Sequence, residues 1–162
     1  MATRVFSQLP DLVAALPQLL SHARRFFAAE VEVLSASPPE RIDPALACVV
    51  LRLDSARYPG SGTFRIESRA TVEADRKAAE RAEMRGKAGG MAGLAARCSV
   101  VWTLEHESEI SGSAELQLSA LLASIALGPV LPEDESTLYG VRGAMERAEK
   151  AAHSTSSTTR TT

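Results

Sequence analysis

The first regular pattern in the chain is a run of apolar side chains at helical spacing after Pro10. Its members are Leu12, Val13, Leu16, Leu19, Leu20, Ala23, Phe26 and Phe27. Apolar residues three and four positions apart form one face of a helix. The pattern therefore predicts an amphipathic N-terminal helix. We expect a break near Leu16, because Pro17 lacks the amide hydrogen that an interior helical position donates.

The runs that follow this helix predict three strands. Val31 and Val33 alternate with glutamates, so they mark a short strand with one apolar face. The stretch from Ala45 to Leu53 is apolar on both faces at its centre, which predicts an interior strand covered on both sides. The run from Thr63 to Ser68 alternates again, and the turn residues from Tyr58 to Gly62 join it to the preceding strand as a hairpin.

The C-terminal half contains a fourth predicted strand and two predicted helices. Apolar residues alternate from Ser99 to Glu105, and Ser113 is a suitable cap for the strongly apolar helix that follows. A last helix is predicted over roughly 137–152. We expect the apolar faces of all these elements to form one core. Its predicted members are Val49, Leu51, Phe64, Ile66, Val100, Trp102, Leu104, Leu121, Leu122 and Ile125.

Together these elements predict an α+β fold. The sheet is expected to be mainly antiparallel and to contain about four strands, with an N-terminal helix before it and two C-terminal helices after it. A long helical and glycine-rich excursion separates the last two strands. We expect one domain over residues 1–153. We expect a disordered tail over residues 154–162, because that segment contains only serine, threonine and one arginine.

The excursion, residues 69–98, carries most of the candidate binding chemistry of the chain. It passes from a charged, alanine-rich stretch with high helix propensity into a glycine-rich stretch from Arg85 to Gly93. Unusually long connections are often binding elements, lids or disordered segments. Because the predicted helix has little apolar surface, two interpretations stay open: a solvated arm, or a basic ridge that docks on an acidic partner or a phosphate.

Two groups of residues in the 69–98 segment form the candidate binding site. The first is the basic ridge, and the second is a loop in which glycines free backbone amides to bind an anion. The ridge comprises Arg69, Arg76, Lys77, Arg81 and Arg85, and the loop comprises Gly86, Lys87, Gly89 and Gly90. The loop matches neither a nucleotide P-loop nor a dinucleotide fingerprint. A flexible loop and a subunit contact therefore stay open as alternatives to an anion site.

Composition disfavours several classes of partner. The formal net charge is −2, the pI is about 5.9 and aromatic residues make up 4%, so nothing favours a nucleic acid or an anionic membrane. Acidic residues interleaved with the basic ridge would also repel phosphates. The chain shows no signal peptide and no membrane-spanning run, which predicts a cytoplasmic protein. It shows no cofactor motif, and we expect no cofactor.

Cysteine and histidine do not form a catalytic or metal-binding pattern. Cys48 and Cys98 lie in apolar, strand-like contexts, which predicts buried free thiols. Cys98 and His106 are eight positions apart, or about 26 Å along an extended strand. This distance disfavours a thiol nucleophile with His106 as its base. The three histidines lie in separate predicted elements, and no metal site is expected.

The sequence therefore predicts a protein that works through contacts rather than catalysis. Our leading hypothesis is a non-catalytic interaction or assembly protein, a subunit of a homo-oligomer or of a larger complex, with residues 69–98 as its contact arm. The alternative is an adaptor or regulator that binds a small anionic ligand or phosphate at the Arg85–Gly93 loop. A second alternative is a cysteine-dependent enzyme that uses Cys98.

Overall fold

An antiparallel sheet lies at the centre of the computed structural model, which describes residues 2–37, 46–87 and 89–158. The strands are β1 (Thr3–Ser7), β2 (Ala29–Ser37), β3 (Ala47–Ser55), β4 (Gly60–Ala70), β5 (Val100–His106), β6 (Ser111–Gly112) and β7 (Val130–Leu131). The helices are α1 (Leu12–Phe27), α2 (Glu73–Gly86), α3 (Met91–Ala96), α4 (Ala114–Ala126) and α5 (Val141–Thr158). The expected mixture of helices with an antiparallel sheet is confirmed.

The sheet has seven strands within the described residues, so the prediction of about four strands was wrong. Its order is β2-β3-β4-β5-β1-β7, and β6 pairs with one end of β4. The strands that sequence reasoning missed are β1, β6 and β7. Strand β1 has only five residues and pairs with β5 on one side and β7 on the other. Such short strands contain too few alternations to be recognised, and they depend on their neighbours for hydrogen bonds.

Helix α1 is continuous, so the predicted break near Leu16 was wrong. Its first turn is capped by the Asp11 carboxylate, which accepts a hydrogen bond of 3.1 Å from the Ala14 amide. Pro17 lies inside the helix with its ring exposed to solvent. Proline removes a single helical hydrogen bond here, while buried Leu16 and Leu19 hold the turns on both sides against the core.

One face of the sheet carries the main core. Helices α1 and α4 pack on this face, and α5 packs against α4. All ten residues predicted to share a core are buried in this one cluster, and Trp102 is fully enclosed. The prediction of the core is confirmed, because alternation along a strand decides which side chains face the helices.

The opposite face of the sheet is covered only in part. Helices α2 and α3 lie over it near β1 and β7 and enclose a second, smaller apolar cluster. This cluster comprises Phe6, Ala78, Ala79, Ala82, Ala95, Cys98, Leu131 and Leu138. Strand β3 is interior, as predicted, but it is not covered on both sides, since Cys48 and Val50 on its outer face are only half-buried.

The 69–98 segment packs on the sheet of its own chain. It begins at the end of β4 and returns to the sheet just before β5, with α2 and α3 between them. Helix α5 extends further than predicted: its backbone continues to Thr158. Of the segment predicted to be a disordered tail, residues 159–162 lie outside the described part of the chain.

Candidate functional site

The N-terminal turn of α2 is bound to the sheet through Asp75. Its carboxylate accepts two hydrogen bonds from the Arg69 guanidinium, of 2.7 and 2.8 Å, and one of 3.1 Å from Arg4 Nη1. It also accepts the amide of Val72 at 3.0 Å, which caps the helix. The three bonding residues lie on β4, on β1 and just before α2, so one carboxylate joins three parts of the fold.

The charge of Asp75 is stabilised although its side chain is only 2% exposed. Burial by itself raises the pKa of a carboxyl group, but hydrogen bonds from Arg69, from the Val72 amide and from Arg4 outweigh that effect. They lower the pKa of Asp75 to about 2. The carboxylate is therefore ionised at neutral pH.

A second carboxylate, that of Glu135, connects α2 to the segment that precedes α5. Glu135 Oε1 lies 2.6 Å from Arg4 Nη2, and Oε2 lies 3.7 Å from Arg81 Nη2. The main-chain carbonyl of Glu135 accepts a hydrogen bond of 3.3 Å from Arg85. The residue adopts a left-handed backbone conformation with φ of 52°. Arg4 thus binds Asp75 with one nitrogen and Glu135 with the other.

The residues of the predicted basic ridge differ in their contacts. Arg69, Arg81 and Arg85 contact acceptors of their own chain, as described above. Arg76 lies 3.7 Å from Glu73 in an exposed pair within α2, and Lys77 is exposed. Arg69 therefore binds α2 to the sheet, while the four ridge residues within α2 stay exposed.

The predicted glycine loop divides into a packed part and an open part. A Cβ atom at Gly86 would overlap the side chain of Thr137, so this glycine permits α2 to approach the segment before α5. Lys87 ends α2 in the left-handed conformation. Gly89 and Gly90 face open space, and Gly90 has φ of 89°.

An apolar groove of about 600 Å³ lies between α3 and the beginning of α5; we call it the α3–α5 groove. Gly89, Met91 and Leu94 form one wall, and residues 138–143 form the other. Leu127 and Gly128 lie between the two walls. The predicted Arg85–Gly93 loop included Gly89 and Met91, but the opposite wall was not predicted as part of a site, because the groove joins segments that are far apart in the chain.

Leu127 presents a large apolar side chain at this groove from a rigid backbone. The residue ends α4 in the left-handed conformation, with φ of 53°. As a whole, the residue is 58% exposed. Its amide donates to the Ala123 carbonyl at 3.0 Å, and its carbonyl accepts from Gln8 Nε2 at 2.6 Å. A Cβ atom at Gly128 would overlap the Phe6 carbonyl, so the next residue packs directly on β1.

The two cysteines have different environments, and the expectation of burial is confirmed for only one. Cys98 is 1% exposed, its thiol lies 3.4 Å from the Leu94 carbonyl, and burial raises its pKa to about 11. Cys48 is half-buried on the uncovered face of the sheet, where Arg65 Nε lies 3.4 Å from its sulfur. Both thiols are free.

Two of the histidines each contact a single polar side chain. His106 Nε2 lies 3.5 Å from Glu115 Oε2, and His22 Nδ1 lies 2.8 Å from the Ser124 hydroxyl. No group of three or more potential metal ligands occurs within residues 2–37, 46–87 and 89–158. Among the helices described for this chain, none has the length and apolar character needed to cross a membrane.

Comparisons with known protein families, with curated proteins and with solved structures found no match to this chain.

Proposed function

We propose that the protein is a non-catalytic assembly subunit that pairs with a second copy of itself through the α3–α5 groove. This places the contact at the wall formed by the 69–98 segment and at the neighbouring Leu127. The observation that carries the proposal is the exposure of the large apolar residue Leu127 at the groove, since Ala28 and Lys87 end their helices in the same left-handed conformation.

Leu127 is an unfavourable choice for the isolated fold. A left-handed backbone costs a residue with a side chain roughly 1–2 kcal/mol, and glycine or asparagine usually ends a helix in this way. The leucine side chain recovers little of that cost, because more than half of the residue is exposed. Burial of the side chain against another molecule would stabilise it by roughly 1.5–3 kcal/mol if burial were complete.

The groove has the features of a self-complementary surface. Leu127 lies within the groove with its residue largely exposed, so the same patch presents both an apolar group and an apolar hollow to a second copy. At the rim, Arg142 and Glu146 lie 3.4 Å apart, and the Arg142 side chain is 94% exposed. In a two-fold arrangement with antiparallel α5 helices, Arg142 of each copy would face Glu146 of the other.

Of the exposed large apolar side chains in the described part of the chain, Leu127 is the one that lines the groove. Among the described residues, five large apolar residues are exposed, namely Leu34, Leu46, Val72, Met84 and Leu127. Val72 and Met84 belong to the 69–98 segment, and Leu127 borders it.

Sedimentation over a range of protein concentrations measures dimerisation of the wild type and of Leu127→Gly, and so tests the proposal. This substitution removes the side chain and also relieves the left-handed strain, so we expect a weaker dimer and an unchanged or higher thermal midpoint. Leu127→Ala removes the side chain but keeps most of the strain, and Leu34→Ala is the matched control on β2, at the opposite edge of the sheet. A wild-type protein that stays monomeric at all concentrations would contradict the proposal.

The anion-binding adaptor is the runner-up. Gly89 of the predicted loop lies on the groove opposite the first turn of α5, and Arg142 supplies a positive charge there. A helix N-terminus attracts anions. A thermal shift with inorganic phosphate that is lost in Arg142→Gln would favour this alternative. The cysteine-dependent enzyme has less support, because a thiol with a pKa of about 11 supplies little thiolate at neutral pH.

A further inference from the structure

The walls of the α3–α5 groove belong to two segments that are joined by ionic contacts. One wall is α3, which follows α2, and the other begins at Leu138, three residues after Glu135. Arg4 binds Asp75 at the beginning of α2 and Glu135 before the second wall. We call the set of Arg4, Arg69, Asp75, Arg81 and Glu135 the Arg4 network.

The apolar side chains that α2 itself contributes to the second cluster are small. The buried side chains of this helix, apart from Asp75, are Ala78, Ala79 and Ala82. Each alanine buries only one methyl group, much less than a leucine or a phenylalanine does. Charge-assisted hydrogen bonds to a nearly buried carboxylate are stronger than neutral ones. The Arg4 network therefore acts together with the packing of Phe6, Leu131 and Leu138 in holding α2 on the fold.

We infer that Arg4 is a positioning residue that sets the width of the α3–α5 groove by holding Asp75 and Glu135 at the same time. When the contact with Glu135 is lost, α2 and α3 move away from α5 together, while the main core stays folded. The inference rests on the proposed function, because it makes pairing of two copies depend on the Arg4 network.

Cys98 supplies a measurement of this movement that does not depend on pairing. Its sulfur lies under α3 in the same cluster as the alanines of α2, and a Cβ atom at Gly128 would lie 3.1 Å from it. Separation of α2 and α3 from α5 exposes this sulfur to a small alkylating reagent. Trp102 lies in the other core cluster and reports global unfolding instead.

The test uses Arg4→Met and Glu135→Gln in the full chain, with Cys48→Ser so that one thiol remains. We expect alkylation of Cys98 to be about tenfold faster in Arg4→Met, because that factor corresponds to the loss of one charge-assisted hydrogen bond. The increase should be smaller in Glu135→Gln. Dimerisation should weaken in the same order. Glu30→Gln is the matched control, since it removes an acid from an exposed pair with Arg24 and should change neither measurement.

Two further measurements separate a positioning role from a purely stabilising one. For a local movement, the alkylation rate of Cys98 in low urea stays almost constant while Trp102 fluorescence remains native. If the rate instead follows the unfolding of Trp102, or is unchanged in both variants, the inference is overturned. Faster alkylation with unchanged dimerisation also overturns it.

A monomeric wild-type protein overturns the proposed function and the dependence of pairing on the network, whatever the alkylation rates are. The two failures are therefore distinguishable: alkylation reports on the Arg4 network, and sedimentation of the wild type reports on pairing.

Discussion

Arg4 Nη1 lies 3.1 Å from Asp75 Oδ1, so a residue of the first strand binds the first turn of a helix 71 positions later in the chain. This contact belongs to the set that keeps the 69–98 segment on its own sheet. A surface presented by that segment is consequently pre-formed rather than ordered on binding, which avoids an entropic cost of roughly 1–2 kcal/mol for each residue fixed.

The stability of the protein should fall in acid as Asp75 becomes protonated. The pKa of Asp75 is lowered from 3.8 to about 2 in the folded state. Its contribution is therefore present above pH 4 and is lost as the pH falls toward 2. Because Arg69 is 38% exposed and water screens part of the interaction, we expect a loss of about 1–2 kcal/mol.

Urea unfolding at pH 7, 4 and 2.5 measures this change, with Asp75→Asn as the variant that lacks the titrating group. The difference in unfolding free energy between wild type and variant should shrink as the pH falls. A constant difference would show that the arginine contacts do not stabilise the ionised carboxylate.

Replacement of Trp102 by alanine should destabilise the protein by roughly 3–5 kcal/mol, because it leaves a large cavity in a fully enclosed site. Trp102 is 0% exposed in the main core. Chemical denaturation followed by circular dichroism measures the change. An unchanged midpoint would mean that Trp102 does not contribute to the core.

Iodoacetamide at neutral pH should modify Cys48 before Cys98. Cys98 is buried, and the raised pKa of about 11 leaves little thiolate. Cys48 lies on the uncovered sheet face. Peptide mass spectrometry follows the two sites, and protein unfolded in urea, where both thiols are accessible, is the control. Faster modification of Cys98 in the folded protein would revive the cysteine-dependent enzyme.

Alanine at Gly128 should destabilise the protein by roughly 1–3 kcal/mol, because the new methyl group overlaps the Phe6 carbonyl and forces the backbone apart. Gly93 in α3 is the matched control, since a Cβ atom there meets nothing. Alanine at Gly93 should leave stability unchanged or raise it by up to about 1 kcal/mol through its helix propensity. Equal effects at the two positions, measured by thermal unfolding, would contradict the close approach of α4 and β1.

The pattern of apolar residues was sufficient to predict the core wherever the spacing of side chains decides which of them are buried. The alternation in β4 and β5 placed Phe64, Ile66 and Trp102 on one side of a strand, and that side faces the helices. The helix was predicted correctly, and the break at Pro17 wrongly, because both predictions used only the local sequence. A local rule describes one lost hydrogen bond, but it does not include the burial of Leu16 and Leu19 on the core.

The candidate site was predicted less well than the core. The basic residues of the 69–98 segment were identified, but the distant acceptors that bind Arg69, Arg81 and Arg85 were not. The α3–α5 groove had no recognisable signal, because its walls come from residues 89–94 and 138–143 and meet only in the folded chain.

The sequence by itself determined the α+β class, the members of the main core and the position of the long excursion between two strands, since each depends on the order of side chains within a short window. Only the tertiary structure decided that Thr3–Ser7 is a strand between β5 and β7, that Arg4 joins Asp75 to Glu135, and that Leu127 stands beside a groove. Hydrogen bonds between strands and contacts between charges depend on how close two residues lie in space. The number of residues between them in the chain does not determine that distance.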